Sequence, residues 1–284
     1  MLEFSLMVLV PFIAILFEGL HRKIEARFQN RIGPPIWQPF WDLWKLWQKK
    51  PSESMANDNV FFTIPPVLYF ITSLSLFLFV PFFLVSFEYD FILLIYITIL
   101  YSGFYVVTAF ASNSPSGIVG AMREIITMVP YEMILALSIF SFMLAGNATT
   151  LAGYTLNWGV LYAPLAAICL LFVTSIEVKI TPFDTAEAPP EVMDGYRTEF
   201  TGKGLALLEL SRYIKLAFFS FLSVMFLFGK ADLLLFYVLS FIFLFFLTMA
   251  KATTPRLRVD QTLKIYMVVL VLSLIEISRI IMMG

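Results

Sequence analysis

The chain has very little of what most redox or metal chemistry requires. One cysteine, Cys169, and one histidine, His21, occur in 284 residues. Iron–sulfur clusters take sets of cysteine thiolates, and a disulfide takes two. A protein-held zinc or haem site draws mainly on histidine and cysteine. No cluster, internal disulfide, zinc or haem site is therefore expected in this chain. Charge is scarce as well: charged side chains make up 14% of residues and the net charge is −1. Soluble domains carry about 25% charged residues. Bulk charge steers no partner here, and no nucleic-acid partner is expected.

Apolar residues are what the sequence has in excess. They make up 60% of it, 31 of them Phe, and the mean hydropathy is +0.87. A helix crosses the bilayer core with about 20 mostly apolar residues, and eight segments qualify: roughly 2–20, 62–86, 91–112, 122–145, 156–177, 204–228, 232–251 and 262–282. The expected fold is an all-α integral membrane protein, one polytopic domain over 1–284. The fourth segment is the weakest, because Arg123, Glu124 and Pro130 fall in its first half. The first lacks a basic leader and a small-residue cleavage site, so it reads as a retained helix.

Lys and Arg concentrate in alternate connections, which orients the chain. Residues 21–61, 113–121, 178–203 and 252–261 are expected in the cytoplasm, with both termini outside. The stretch FEYD (87–90) reads as a tight acidic turn and GNATTLAGYTLN (146–157) as a neutral polar connection. Neither suggests a binding domain, so a soluble partner is expected on the cytoplasmic face.

Residues 25–50 hold four of the five tryptophans. Trp37, Phe40, Trp41, Trp44 and Trp47 recur at helical spacing. Gln38, Asp42, Lys45 and Lys49 fall on the other face. This predicts an amphipathic helix over about 37–50, lying at the interface with its rings at headgroup level. Its Trp face is read either as an anchor in lipid or as the roof of a cavity or partner site. Gly33-Pro34-Pro35 before it sets a rigid turn.

The loop at about 178–203 is rich in carboxylates: Asp184, Glu187, Glu191, Asp194 and Glu199, with Glu177 just before it. Crowding and desolvation raise some of their pKa values, which suits proton exchange. A solvated acidic loop is the plainer alternative. Charges also fall inside spans. Glu209 and Arg212 are one turn apart, Lys215 a turn further, and Glu276 and Arg279 are spaced likewise. Such charges mark an ion path or pair up structurally. Glu132 has no partner on its own helix and is read as functional.

Four blocks resemble the NuoH-like membrane subunit of complex I and of energy-converting, membrane-bound nickel–iron hydrogenases. They are HRKIEARFQNRIGPP…QPFWDLWKL (21–46), ASNSPSGIVGAMREIITMVPYEM (111–133), EVKITPFDTAEAPPEVMDGYRTEF (177–200) and TPRLRVDQ (254–261). The resemblance implies eight transmembrane helices plus an interfacial helix, in the cell membrane of a prokaryote. It implies a subunit without a redox centre, which docks a peripheral module and begins a proton or sodium path. By motif, Glu132, Glu187, Glu191 and Glu199 are path carboxylates, and Arg27, Arg31 and Asp42 lie near the cavity mouth. Glu177, Asp184, Asp194, Glu209, Arg212 and Glu276 join the candidate path. Gly33, Pro34, Pro35, Trp37 and Lys45 join the docking set.

Implied partners are hydrogenase-like large and small iron–sulfur subunits, which carry 4Fe-4S clusters and a nickel–iron centre, and antiporter-like membrane subunits. Departures from the quinone-reducing branch favour the hydrogenase branch. GPPIWQP is compact, position 21 is His, Arg212-Tyr213 replaces Glu-Tyr, Lys179-Ile180 replaces Asn-Arg, and Pro189-Pro190 replaces Glu-Ser. The expected role is coupling in a ferredoxin-dependent hydrogenase or a sulfur-reducing relative. The alternatives are the quinone-site subunit of a dehydrogenase and a stand-alone secondary transporter.

Overall fold

In hydrocarbon a backbone polar group has no water to bond, so a spanning chain must satisfy its own amides, and a helix does so within one segment. The computed structural model describes residues 2–50, 60–81, 83–154, 156, 158–187, 195–229 and 233–283, and among them it holds helices and no strand. The helices are α1 (Leu2–Phe28), α2 (Gln38–Gln48), α3 (Val60–Leu76), α4 (Asp90–Ala111), α5 (Pro115–Ala145), α6 (Gly159–Tyr162), α7 (Pro164–Glu177), α8 (Gly202–Phe228), α9 (Leu233–Thr253) and α10 (Val259–Met283). A 3-10 turn covers Gly195–Thr198.

Five helices, α4, α5, α8, α9 and α10, are long and apolar enough to cross a membrane. α1 has 27 residues, about 40 Å at 1.5 Å per residue. Two segments fall short of the sequence expectation. The stretch expected at 62–86 is helical only to Leu76 and continues as turns to residue 81. The stretch expected at 156–177 breaks at Ala163 into α6 and α7, where Pro164 brings no N–H to the ladder.

Two expected loops are helical instead. α1 runs on to Phe28, past the expected end near residue 20. α5 begins at Pro115 rather than near 122, because the Ser114 side chain accepts the Gly117 N–H at 3.0 Å and caps the helix. α5 then continues through Pro130 to Ala145, so the segment that looked weakest is the longest helix.

α8 is the central pillar. Every residue from Tyr213 to Leu227 is buried, with α1, α2, α3, α6, α7 and α9 packed around it. Lipid tails are as apolar as leucine, so close packing rather than water exclusion holds such a bundle together. Phe17 of α1 meets Phe221 edge-on at 5.2 Å and stacks on Phe241 of α9 at 4.7 Å. Each such ring pair is worth about 0.5–1.5 kcal/mol beyond its area. Ser211, Ser220 and Ser223 return their hydroxyls to backbone carbonyls one turn back. The pillar thereby carries polar atoms without leaving them unsatisfied.

The turn before α2 is packed onto α1. A Cβ at Gly19 would collide with the Ile36 carbonyl, and one at Gly33 would meet Ala26 Cβ at 2.8 Å. The missing side chains let the two backbones touch. This fixes the direction in which α2 leaves α1.

Candidate functional site

At the end of the bundle where α1 ends and α8 begins, opposite charges alternate in one line. Asp42 accepts from Arg22 at 2.9 Å. Arg22 also donates to Glu18 at 2.8 Å and to the Tyr213 hydroxyl at 2.8 Å. Glu18 faces Arg212 at 3.8 Å, and Arg212 donates to Glu209 at 2.7 Å. Glu209 lies 3.6 Å from Arg197, which is hydrogen-bonded to Glu187. Glu187 lies 3.6 Å from Lys179, and Lys179 lies 3.2 Å from Glu124. The row thus runs Asp42, Arg22, Glu18, Arg212, Glu209, Arg197, Glu187, Lys179, Glu124. It joins α2, α1, α8, the 3-10 turn, the loop after α7, and α5.

Each local placement has a cause. Glu18 and Arg22 are four residues apart and Glu209 and Arg212 three apart, so each pair shares a helix face. Lys179 sits just past the end of α7 with φ 54°, a left-handed conformation that is uncommon outside glycine. Its ammonium lies 2.9 Å from the Tyr105 ring centroid, a cation–π contact.

Interleaved cations, rather than mutual crowding, set the loop carboxylates. Burial pushes Glu187 up, but Arg197 and Lys179 outweigh it and hold its carboxyl at about 2. Burial raises Asp184, and Arg256 at 2.9 Å only partly offsets this. Burial lowers Lys179, opposed by Glu124 and Glu187. The expectation that some of the loop carboxylates are raised is met at Asp184 and not at Glu187.

A second group lies deeper. Lys215 of α8 pairs with Glu177 of α7 at 2.6 Å, with side-chain exposures of 6% and 0%. Removing either partner would leave a buried charge. Between this pair and the row lies a cavity of about 10 Å³, reached by Tyr69, Tyr101, Glu177, Lys179, Glu187 and Arg212, the space of about one water. Glu132 of α5 finds its partners on α4: Ser102 donates to it at 2.7 Å and Thr98 at 3.5 Å.

Of the sequence candidates, the row unites Asp42, Glu187, Glu209 and Arg212, and the deeper group adds Glu132 and Glu177. Asp184 stands beside them on Arg256, where the loop meets the TPRLRVDQ block; the Leu257 N–H donates to the Pro182 carbonyl at 3.2 Å. Glu199 is half-exposed. Glu276 pairs with Arg279 at 2.7 Å near the opposite end, where Arg279 also donates to the Tyr162 carbonyl. Glu191 and Asp194 lie outside the described residues.

In the docking set, Arg27, Arg31, Pro35, Trp37 and Lys45 are exposed, and Gly33 and Pro34 are half-buried. On the polar face of α2, Asp42 accepts from Arg22 and Gln38, while Lys45 and Lys49 stay exposed. Trp37, Trp41, Trp44 and Trp47 are each more than half exposed. Phe40 and Leu43 make the contact with the core.

Sequence reasoning left Glu18, Arg22, Glu124, Lys179, Arg197 and Lys215 out of the candidate site. Their signal was the same as for Glu209 and Arg212: ionisable groups next to or inside apolar runs. Several of their partners, however, are far along the chain: Glu18 meets Arg212, Lys179 meets Glu124 and Lys215 meets Glu177.

A family model described as NADH dehydrogenase matches residues 2–281. The chain is 29% identical to NADH-ubiquinone oxidoreductase chain 1 of Aedes aegypti, over 92% of this chain and 86% of that protein. It is 33% identical to hydrogenase-4 component C of Escherichia coli (strain K12), over 72% and 66%. To a subunit of the NADH-quinone oxidoreductase of Helicobacter acinonychis (strain Sheeba) it is 28% identical, over 91% and 89%. Among solved structures, a chain of the membrane-bound sulfane sulfur reductase, an archaeal respiratory membrane complex, superposes with a TM-score of 0.88 over 98% of both chains at 22% identity. At that identity the likeness speaks for the fold.

Proposed function

The chain belongs to the NADH dehydrogenase family of NuoH-like membrane subunits, and from that premise we propose that it couples a docked redox module to ion movement in a hydrogenase-type complex. That it is a membrane subunit of a complex I-like or hydrogenase-type respiratory complex follows from the family and its relatives. The finer reading is a ferredoxin-dependent energy-converting hydrogenase or a sulfur-reducing relative. In it the chain crosses the membrane eight times with both termini outside. The large and small iron–sulfur subunits sit over the Arg31 turn and α2, and antiporter-like subunits lie alongside.

The row of alternating charges carries this reading. A buried ion pair is costly to make and costlier to break, yet here each member within the row touches two neighbours of opposite sign. A change of charge at the docked face shifts the partners of the first member, and each later member can answer by re-pairing. Glu132 and the Lys215–Glu177 pair stand where that displacement reaches the interior. Two departures from the quinone branch, Arg212 and Lys179, are themselves cations of the row, and the compact GPPIWQP turn and the hydrogenase-4 component C relative point the same way. The quinone-site reading retains the coverage of its relatives; a quinone bound between α2 and residues 178–187 would favour it.

In membrane vesicles, Glu132→Gln is expected to leave assembly and electron flow intact and to reduce ion transport per electron at least about tenfold, equivalent to 1.4 kcal/mol. An unchanged ratio removes Glu132 from the path. Arg31→Glu is expected to release the soluble module from membranes. If the module stays bound and active, this turn does not dock it.

A further inference from the structure

α5 and α10 run parallel: Arg123 and Arg258 line one cavity, and further along the Tyr131 ring meets the Tyr266 ring. Between their early turns, that cavity has a volume of about 390 Å³ and is lined by Arg123, Arg258, Val259 and Asp260. None of these residues belongs to the row. Arg123 donates to the Thr185 carbonyl at 3.3 Å, which ties its guanidinium to the acidic loop. Arg258 faces Asp260 at 3.8 Å, both largely exposed, and a long exposed pair of this kind is worth little. The lining is therefore cationic, and the positive end of α10 adds to it. Away from the cavity the surface changes character. Asp260 and Lys264 are exposed on α10, and so are Met267 and Val268 beyond them. On α5, Met122, Ile126 and Val129 are likewise exposed. The cavity thus sits where charged surface meets an apolar wall.

We propose that this cavity holds the phosphate of an anionic phospholipid whose acyl chains lie along the α5–α10 wall. The inference goes beyond the coupling role argued above and does not depend on it.

The chemistry fits on three counts. Guanidinium forks match the oxygens of a phosphodiester, and each has N–H donors enough for Arg123 to hold a phosphate and the Thr185 carbonyl together. Basic pockets between transmembrane helices suit anionic headgroups. The exposed apolar wall suits acyl chains, which a free phosphate lacks. A zwitterionic phospholipid brings an ammonium to the same place. Asp260, exposed to water, holds it weakly, and Lys264, one turn further along α10, repels it. Binding also has a structural consequence. Arg123 joins the phosphate to Thr185, and Arg258 follows closely on Arg256, which pairs with Asp184 at 2.9 Å. A bound lipid braces the start of the acidic loop from the membrane side.

The test uses the whole complex in nanodiscs with a phosphatidylglycerol analogue that carries a photoreactive group on its acyl chain. Labelled peptides of α5 and α10 are mapped by mass spectrometry. The parent complex should be labelled on both helices, and far less by the matched phosphatidylcholine analogue. A cation at headgroup level is worth about fivefold in binding, so Arg123→Gln/Arg258→Gln should lower the labelling at least about tenfold. Should that variant fail to assemble, Arg258→Gln alone, at an exposed position, is expected to lower it about fivefold. Excess inorganic phosphate should leave the labelling unchanged. Undiminished labelling in the variants, or equal labelling by phosphatidylcholine, overturns the proposal. So does an unlabelled parent complex, the result expected if an acidic segment of a neighbouring subunit fills the cavity. Displacement by inorganic phosphate assigns the cavity to a free anion and overturns the lipid.

Discussion

The two ends of the bundle treat buried charge differently. At the end holding the acidic loop, nine charged groups link in one alternating row across six segments. At the other end, charges close on their own neighbourhood. Asp90, fully buried at the start of α4, accepts the Leu151 N–H at 2.7 Å, and beside it the Tyr89 N–H donates to the Thr149 carbonyl at 2.9 Å. Arg279 holds Glu276 and the Tyr162 carbonyl. Both ends place polar groups in a greasy setting. The far end uses each charge to fasten two chain segments, whereas in the row each interior member touches two further charges.

That contrast can be broken most forcefully at Lys215. Lys215→Met strands Glu177 without its cation, and a loss of about 3–5 kcal/mol of stability is expected, read as a fall in thermal unfolding temperature in detergent. The double variant Lys215→Met/Glu177→Gln should recover most of it; if it does not, the loss came from packing rather than the stranded charge.

A somewhat smaller effect is expected from acid. Glu187 is held at about 2, below its ordinary 4.5. Its contribution is therefore full above about pH 4.5 and disappears as pH falls toward 2, amounting to roughly 3 kcal/mol. Protection of residues 178–187 from hydrogen exchange should fall through that window. Arg197→Gln should move the window upward, and an unmoved window would show that Arg197 does not hold the carboxylate.

The smallest effect belongs to the far end. Asp90→Ala removes the acceptor for Leu151 and should cost about 1.5 kcal/mol while leaving ions moved per electron unchanged. A loss of coupling in this variant would erase the distinction between the two ends.

Much of the helical layout was legible because apolar period and capping chemistry act over a few residues. The Trp-rich helix appears at Gln38–Gln48, close to its expected place, and the Glu209–Arg212 and Glu276–Arg279 pairs lie within one turn. The misreadings arose where a polar residue could serve either a loop or a helix. Ser114, in a stretch read as loop, caps α5. Asp42, on the polar face of α2, is held by Arg22, a cation supplied by α1.

The row was largely illegible for a different reason. Glu18 meets Arg212 across 194 positions (212 − 18), and Lys179 reaches Glu124 across 55 (179 − 124).

By itself, then, the amino-acid order determined that this chain is helical, belongs in a bilayer, keeps its basic and acidic groups in particular connections, and matches a known family block by block. Those properties are local, depending on solvation and spacing along one stretch of chain. Only the tertiary structure decided which charges became neighbours. Helix rotation by tens of degrees, or the close crossing allowed by Gly19 and Gly33, carries a side-chain tip several ångströms, and an ion pair or a hydrogen bond exists only within about 3–4 Å.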